Sequence, residues 1–142
     1  VLENALLVLA LLALAGVLGA VWRARNGAAR PVHTELVIDA ATLGVPLGSA
    51  ATLVQLSSRT CASCPPTARA LAEVAQRRAG VDVVHLDVEE RLDLVRVLDV
   101  RRTPTVVALD VRGRVVARAS GGMRPGQVEA LLESCPQPLA AR

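Results

Sequence analysis

Two cysteines three residues apart, Cys61 and Cys64, stand between an apolar run and an Ala/Arg-rich amphipathic stretch. No other feature restricts the fold of this chain as much. Upstream, Ala51–Leu56 reads as a buried strand. Downstream, Thr67 to Arg78 places Ala68, Leu71, Ala72 and Ala75 at helical spacing on one face. The pair therefore lies at a strand-to-helix junction, where the first free N–H groups of a helix stabilise a thiolate and lower its pKa. A pair so placed can also close a small disulfide that the fold tolerates in both states. A CxxC beside a βαβ pattern signals redox chemistry. Half a zinc site and a buried structural pair are the alternatives. Zinc normally takes four ligands, and the remaining Cys135, His33 and His85 stand at no ligand spacing from the pair, so no metal site is expected.

A chain of 142 residues holds one domain of ordinary size with material left over. The surplus is at the N-terminus, where Ala5 to Trp22 is an uncharged apolar run of eighteen residues. As a helix it spans roughly 27 Å, close to the ~30 Å hydrocarbon core of a bilayer. Trp22 then falls at the interface, with Arg23 and Arg25 following at once. A signal peptide would begin with basic residues, whereas Glu3 and Asn4 stand here, and Leu18-Gly19-Ala20 fits a cleavage site poorly. A buried core helix would be amphipathic, and this run is apolar all round. Residues 1–25 are thus expected to form a single-pass membrane anchor, followed by a linker over 26–35 in which Gly27 and Pro31 break structure. Arg23, Arg25 and Arg30 lie on the domain side, so the positive-inside rule places the catalytic domain in the cytoplasm, the extracytoplasmic side being the alternative. All sixteen basic residues are arginine and the formal charge is only +3. With no Tyr or Phe there are no stacking platforms, and no nucleic-acid partner is expected. Three cysteines do not make a secreted disulfide framework.

In chain order, Leu36-Val37-Ile38 reads as a short strand and Asp39 as the cap of a helical turn through Leu43. Gly80 is expected to end the long helix. Val81–Asp87 is the next strand, and Glu89 to Leu98 a short helix with Leu92, Val95 and Leu98 inward. That alternation implies a parallel pair with a right-handed crossover. Val106 to Asp110 and Arg114 to Ala119 form an antiparallel hairpin around Arg112-Gly113. Pro125 opens a last helix to about Ser134, with Val128, Leu131 and Leu132 facing the sheet. Cys135, ahead of Pro136, reads as a spare surface or cap thiol.

Residues 36–134 resemble the thioredoxin family on three features in the right order: the CxxC, Arg102-Thr103-Pro104-Thr105 ahead of a strand, and Asp110-Val111-Arg112-Gly113-Arg114 with Gly121-Gly122 beyond. The resemblance implies an α/β thioredoxin-like fold, a central mixed sheet flanked by helices, over 36–136, with 137–142 as a tail. It implies, with the N-terminal helix, a membrane-anchored thiol–disulfide oxidoreductase without a cofactor; the cytoplasmic placement favours a reductase, and an outside domain would favour disulfide exchange with cell-envelope proteins. Cys61 is then the exposed nucleophile and Cys64 the buried resolving thiol. Pro104 is cis, packed against the pair, and the backbone of Thr103 pairs with an extended substrate. Its partners are protein or small-molecule disulfides and a redox partner that recharges the CxxC. The chain departs from the family at Thr60, where a Trp is usual, at Ala62-Ser63, where Gly-Pro is usual, and at Gln55, where a buried Asp often serves the resolving thiol. Those departures keep open a redox-inactive binding module or a soft-metal carrier using the CxxC. Arg59 is a candidate for lowering the Cys61 pKa, and His85 and Asp87 read as ordinary strand polar residues.

Overall fold

The computed structural model describes residues 1–32 and 34–135, so the expected tail at 137–142, Pro136 and His33 lie outside the described residues. Ten elements follow in order: α1 (Leu2–Arg25), β1 (Arg30–Pro31), α2 (Ala40–Leu43), β2 (Ala51–Ser57), α3 (Cys64–Arg77), β3 (Val81–Asp87), α4 (Leu92–Val97), β4 (Thr105–Leu109), β5 (Val115–Ser120) and α5 (Pro125–Glu133). The five strands make one mixed sheet in the order β1-β5-β4-β2-β3. Only β2 and β3 run parallel, in register from Ala51 opposite Val81 to Ser57 opposite Asp87. The crossover between them is α3, as a parallel pair requires.

Strand alternation sends side chains to two faces, and each face carries its own core. On one, Leu53, Val106, Ala108 and Ala117 pack with Leu71 and Val74 of α3 and Leu131 of α5. On the other, Val54, Leu56, Val107 and Leu109 pack with Ile38, Leu94 and Leu98. Burying a Leu or Val of this kind contributes about 1.5–3 kcal/mol. The sheet is thus covered on both sides, and β2 and β4, its interior strands, are buried almost throughout.

Several local expectations shift. The buried face of α3 is Cys64, Thr67, Ala70, Leu71 and Val74 rather than Ala68, Leu71, Ala72 and Ala75, because the branched Val74 fills more core than an alanine. The helix stops at Arg77, and Gly80 takes its positive φ of 78° in the turn beyond. In α4 it is Leu94 that is buried while Leu92 is 54% exposed. Leu36–Ile38 is no full strand; Val37 makes a single bridge to Arg114. Asp39 caps α2, its Oδ1 accepting from the Thr42 N–H at 2.8 Å, and the Thr42 side chain, together with that N–H, holds its carboxyl below the usual range.

Within the stretch expected to be a linker, Arg30–Pro31 is an edge strand paired antiparallel to β5, with Arg30 opposite Arg118 and Pro31 opposite Ala117. Pro31 has no N–H to donate, and an edge is where a sheet accepts a proline. Gly27 donates to Ser120 O at 3.0 Å and Val32 to Val116 O at 2.9 Å, extending the pairing on both sides. α1, by contrast, is long, apolar and without a single buried residue. Its length and composition suit a membrane span.

Candidate active site

β2 ends at Ser57, a turn follows, and α3 begins at Cys64 with Ser63 as its N-cap residue. Turn hydrogen bonds from Cys61 N to Ser58 O and from Cys64 N to Cys61 O, each 3.2 Å, fold the two cysteines together. They form a disulfide with Cα atoms 5.4 Å apart. Cys61 is half-buried and Cys64 is 5% exposed. The Cys61 Sγ lies 3.8 Å from the Ser63 hydroxyl. One sulfur is thus presented at the surface while the other is enclosed by the first turn of the helix.

The segment Thr103-Pro104 adjoins the turn that precedes the pair. Its peptide bond is cis. The Thr103 and Ser58 hydroxyls are 3.1 Å apart, joining this segment to the turn before Cys61. Pro104 is buried, and its carbonyl accepts from Gly121 N at 2.8 Å. Gly122 then passes against the CxxC, where a Cβ would stand 3.3 Å from that of Ser63. Thr67 closes the ring: its hydroxyl donates to Ser63 O at 2.8 Å and accepts from Met123 N at 3.1 Å. Neither Ser58 nor Thr67 was among the residues singled out from the sequence. The one signal available was that each hydroxyl stands near an element end, where such groups bond backbone.

An open cavity of about 240 Å³ beside the disulfide is lined by Gln55, Ser58, Arg59, Cys61, Cys64 and His85. Gln55 is 1% exposed; its Nε2 donates to Cys64 O at 3.1 Å and Ser57 Oγ at 3.0 Å, fixing the start of α3. Its Oε1 is buried and accepts no hydrogen bond from the described residues. Arg59, 75% exposed in its side chain, pairs with Asp87 at 3.7 Å, so its charge is engaged by a carboxylate beside the cavity. Cys135, expected as a spare surface or cap thiol, is not at the surface. It is 6% exposed and belongs to the core between sheet and helices. Burial, with a smaller contribution from the Asp110 charge, raises its pKa to about 11.

A mixed sheet with a disulfide-bonded CxxC at the start of the helix after its parallel strand, and a cis-proline segment joined to the turn before it, is a thioredoxin-like arrangement. No family model and no curated protein sequence matches the chain. Solved structures do. Desulfothioredoxin from Desulfovibrio vulgaris Hildenborough in its reduced form is 26% identical at a TM-score of 0.57, covering 68% of this chain and 89% of that one. The reduced Schistosoma mansoni thioredoxin pre-protein is 20% identical at a TM-score of 0.54, covering 61% and 80%. Chloroplastic thioredoxin z is 23% identical at 0.54, covering 71% and 96%. The chain has a thioredoxin-like fold. That fold, with Cys61 and Cys64 at disulfide distance, supports a thiol–disulfide redox function in general terms.

Proposed function

We propose that the chain is a membrane-anchored thiol–disulfide oxidoreductase acting as a reductase. The division proposed is an anchor over 1–25, a connecting stretch over 26–35 and a redox domain from 36 to 136. The observation that carries the reading is the unequal exposure of the two sulfurs, Cys61 half-buried and Cys64 enclosed at the first turn of α3. In the reduced state the Cys61 thiolate, stabilised by the N–H end of α3, attacks one sulfur of a substrate disulfide. The substrate S–S bond breaks, a mixed disulfide forms, and the departing substrate thiolate takes up a proton. Cys64 then gives up its proton and attacks Cys61 Sγ, forming the Cys61–Cys64 disulfide and releasing the substrate dithiol. Two electrons pass to the substrate, and a dithiol donor returns the pair to its reduced form. Thr103 offers backbone to an extended substrate, and Pro104 closes that side of the site.

Gln55 bears on the resolving step. An amide does not titrate near neutral pH, so the Cys64 proton leaves to water or substrate rather than to a buried carboxylate. The reductase direction follows from orientation: Arg23, Arg25 and Arg30 flank the anchor on the domain side and resist translocation. Turnover of a model disulfide such as insulin by the reduced protein tests the chemistry. Treating intact cells with a membrane-impermeant thiol reagent after mild reduction tests the side. Labelling of Cys61 without lysis would overturn the cytoplasmic placement.

A further inference from the structure

The residues joining the anchor to the domain run along the end of the sheet that carries the cysteines. Leu56 pairs with Thr105 and Thr105 with Ser120, so the C-terminal ends of β2 and β5 lie together. Gly27 bonds to Ser120 there, and Asn26 O accepts from Gln127 Nε2 at 2.9 Å. Gly27, at a φ of 71°, lies so close to Gly122 that a Cβ on it would run into the Gly122 carbonyl oxygen, and Gly122 in turn faces Ser63. Gly27, two residues past the end of α1, is therefore linked through Gly122 to Ser63, which stands between the cysteines. Trp22 lies four residues before Asn26, roughly 6 Å along the helix. A free linker of ten residues would instead let the domain stand as much as ~35 Å off the bilayer.

Charge and shape at this end agree with a seat on the membrane. A cavity of about 370 Å³ is lined by Arg25, Arg30, Arg101, Arg102 and Arg118 against the single carboxylate of Asp99. Arg102 and Arg118 donate to backbone carbonyls and Arg101 pairs with Asp99. Arg25 and Arg30 make no side-chain hydrogen bond or ion pair among the described residues. Guanidinium groups so placed suit the phosphates of anionic lipid headgroups. Beside Thr103 a groove of about 350 Å³ is lined by Val88, Leu92, Val95 and Val100 together with Glu89, Arg101 and Arg102, a fit for an extended chain that carries both apolar and polar residues.

We propose that the Cys61–Cys64 pair is held at the bilayer surface, and that its substrates are disulfides in membrane-protein segments just outside the hydrocarbon core. This rests on reading α1 as an anchor and the pair as exchanging disulfides. The reaction is unchanged: two electrons and two protons leave the dithiol for the substrate disulfide, and Cys61 and Cys64 become joined.

The test uses the full reduced chain in vesicles of phosphatidylcholine with one-fifth phosphatidylglycerol, in single turnover. Transmembrane peptides carry one disulfide loop either about 3 or about 20 residues beyond the apolar span, and the same loop is also supplied as a free peptide. Both anchored peptides share the membrane, so their rates differ only through height. The near loop should be reduced at least about tenfold faster than the far one. Insertion of ten Gly/Ser residues between Arg25 and Asn26 should shrink that ratio below about twofold while leaving the free-peptide rate unchanged. Equal rates for near and far loops, or a ratio indifferent to the insertion, would overturn the proposal. Two other failures are separable and also end it. If the free loop is not reduced, the exchange chemistry is wrong; if Trp22 emission does not move to the blue on vesicles, the anchor is wrong.

Discussion

The cysteines occupy two contrasting regions. Cys61 and Cys64 sit at the N–H end of α3, and Cys135 sits just past the carbonyl end of α5, its N–H donating to Leu132 O at 2.9 Å. One sulfur of the pair is half exposed beside a cavity, whereas Cys135 is packed into the core near Asp110. A helix start favours a thiolate, and burial beside a carboxylate disfavours it. The same side chain is made reactive at one place and inert at another by what surrounds it.

The strongest way to break this contrast is by substitution. Cys61→Ser should abolish disulfide exchange, while Cys64→Ser should keep the attack and accumulate mixed disulfides on non-reducing gels. Cys135→Ser should leave turnover unchanged. Equal loss of adducts in the first two variants would reverse the assigned roles. Alkylation sharpens the contrast next. A pKa raised from 9.0 to about 11 leaves about a hundredfold less thiolate on Cys135 than on an ordinary thiol below pH 9. Timed iodoacetamide labelling of the reduced, folded protein should therefore modify Cys61 long before Cys135.

The same shift links to stability. The fold holds the Cys135 proton more tightly than the unfolded chain does, so its contribution is full below pH 9 and is lost as pH rises from 9 through 11. With no Lys or Tyr in the chain, and the other two cysteines joined, that window is unusually free of other titrations. Urea midpoints of the oxidised protein should fall across it, and Cys135→Ala should flatten the fall. Gln55→Ala should cost about 2 kcal/mol through the lost bond to Cys64 O and the space left behind, read as a lowered urea midpoint. Smallest is Arg59→Gln. An exposed pair at 3.7 Å should move stability by less than about 0.5 kcal/mol and exchange rates by less than about twofold.

Much of the architecture was legible because its signals are local. The Ala51–Leu56 run, the CxxC and the Val81–Asp87 strand each state their own period, and the sheet places them as read. The Thr103–Pro104 segment was legible only through the family resemblance. Where reading failed, the cause was composition or distance along the chain. Alanine marks a buried face weakly, so Ala68, Ala72 and Ala75 misdirected the phase of α3 that Val74 sets. β1 is two residues whose pairing is to a strand more than eighty positions away, and nothing in Arg30-Pro31 announces it. The burial of Cys135 is equally nonlocal, since the core it belongs to is assembled from β2, α3, β4, β5 and α5.

β1 also decides where the chain can be cut. A soluble piece beginning near residue 34 would lack Gly27, Arg30, Pro31 and Val32, and with them the outer border of β5 from Val116 to Ser120. Backbone donors and acceptors at Val116, Arg118 and Ser120, now matched, would be bare along one side of the sheet. Bare strand borders recruit neighbouring copies. Cleavage between Arg25 and Asn26 sheds the greasy helix while leaving that border sealed, so a protease acting there would release an intact, freely diffusing domain.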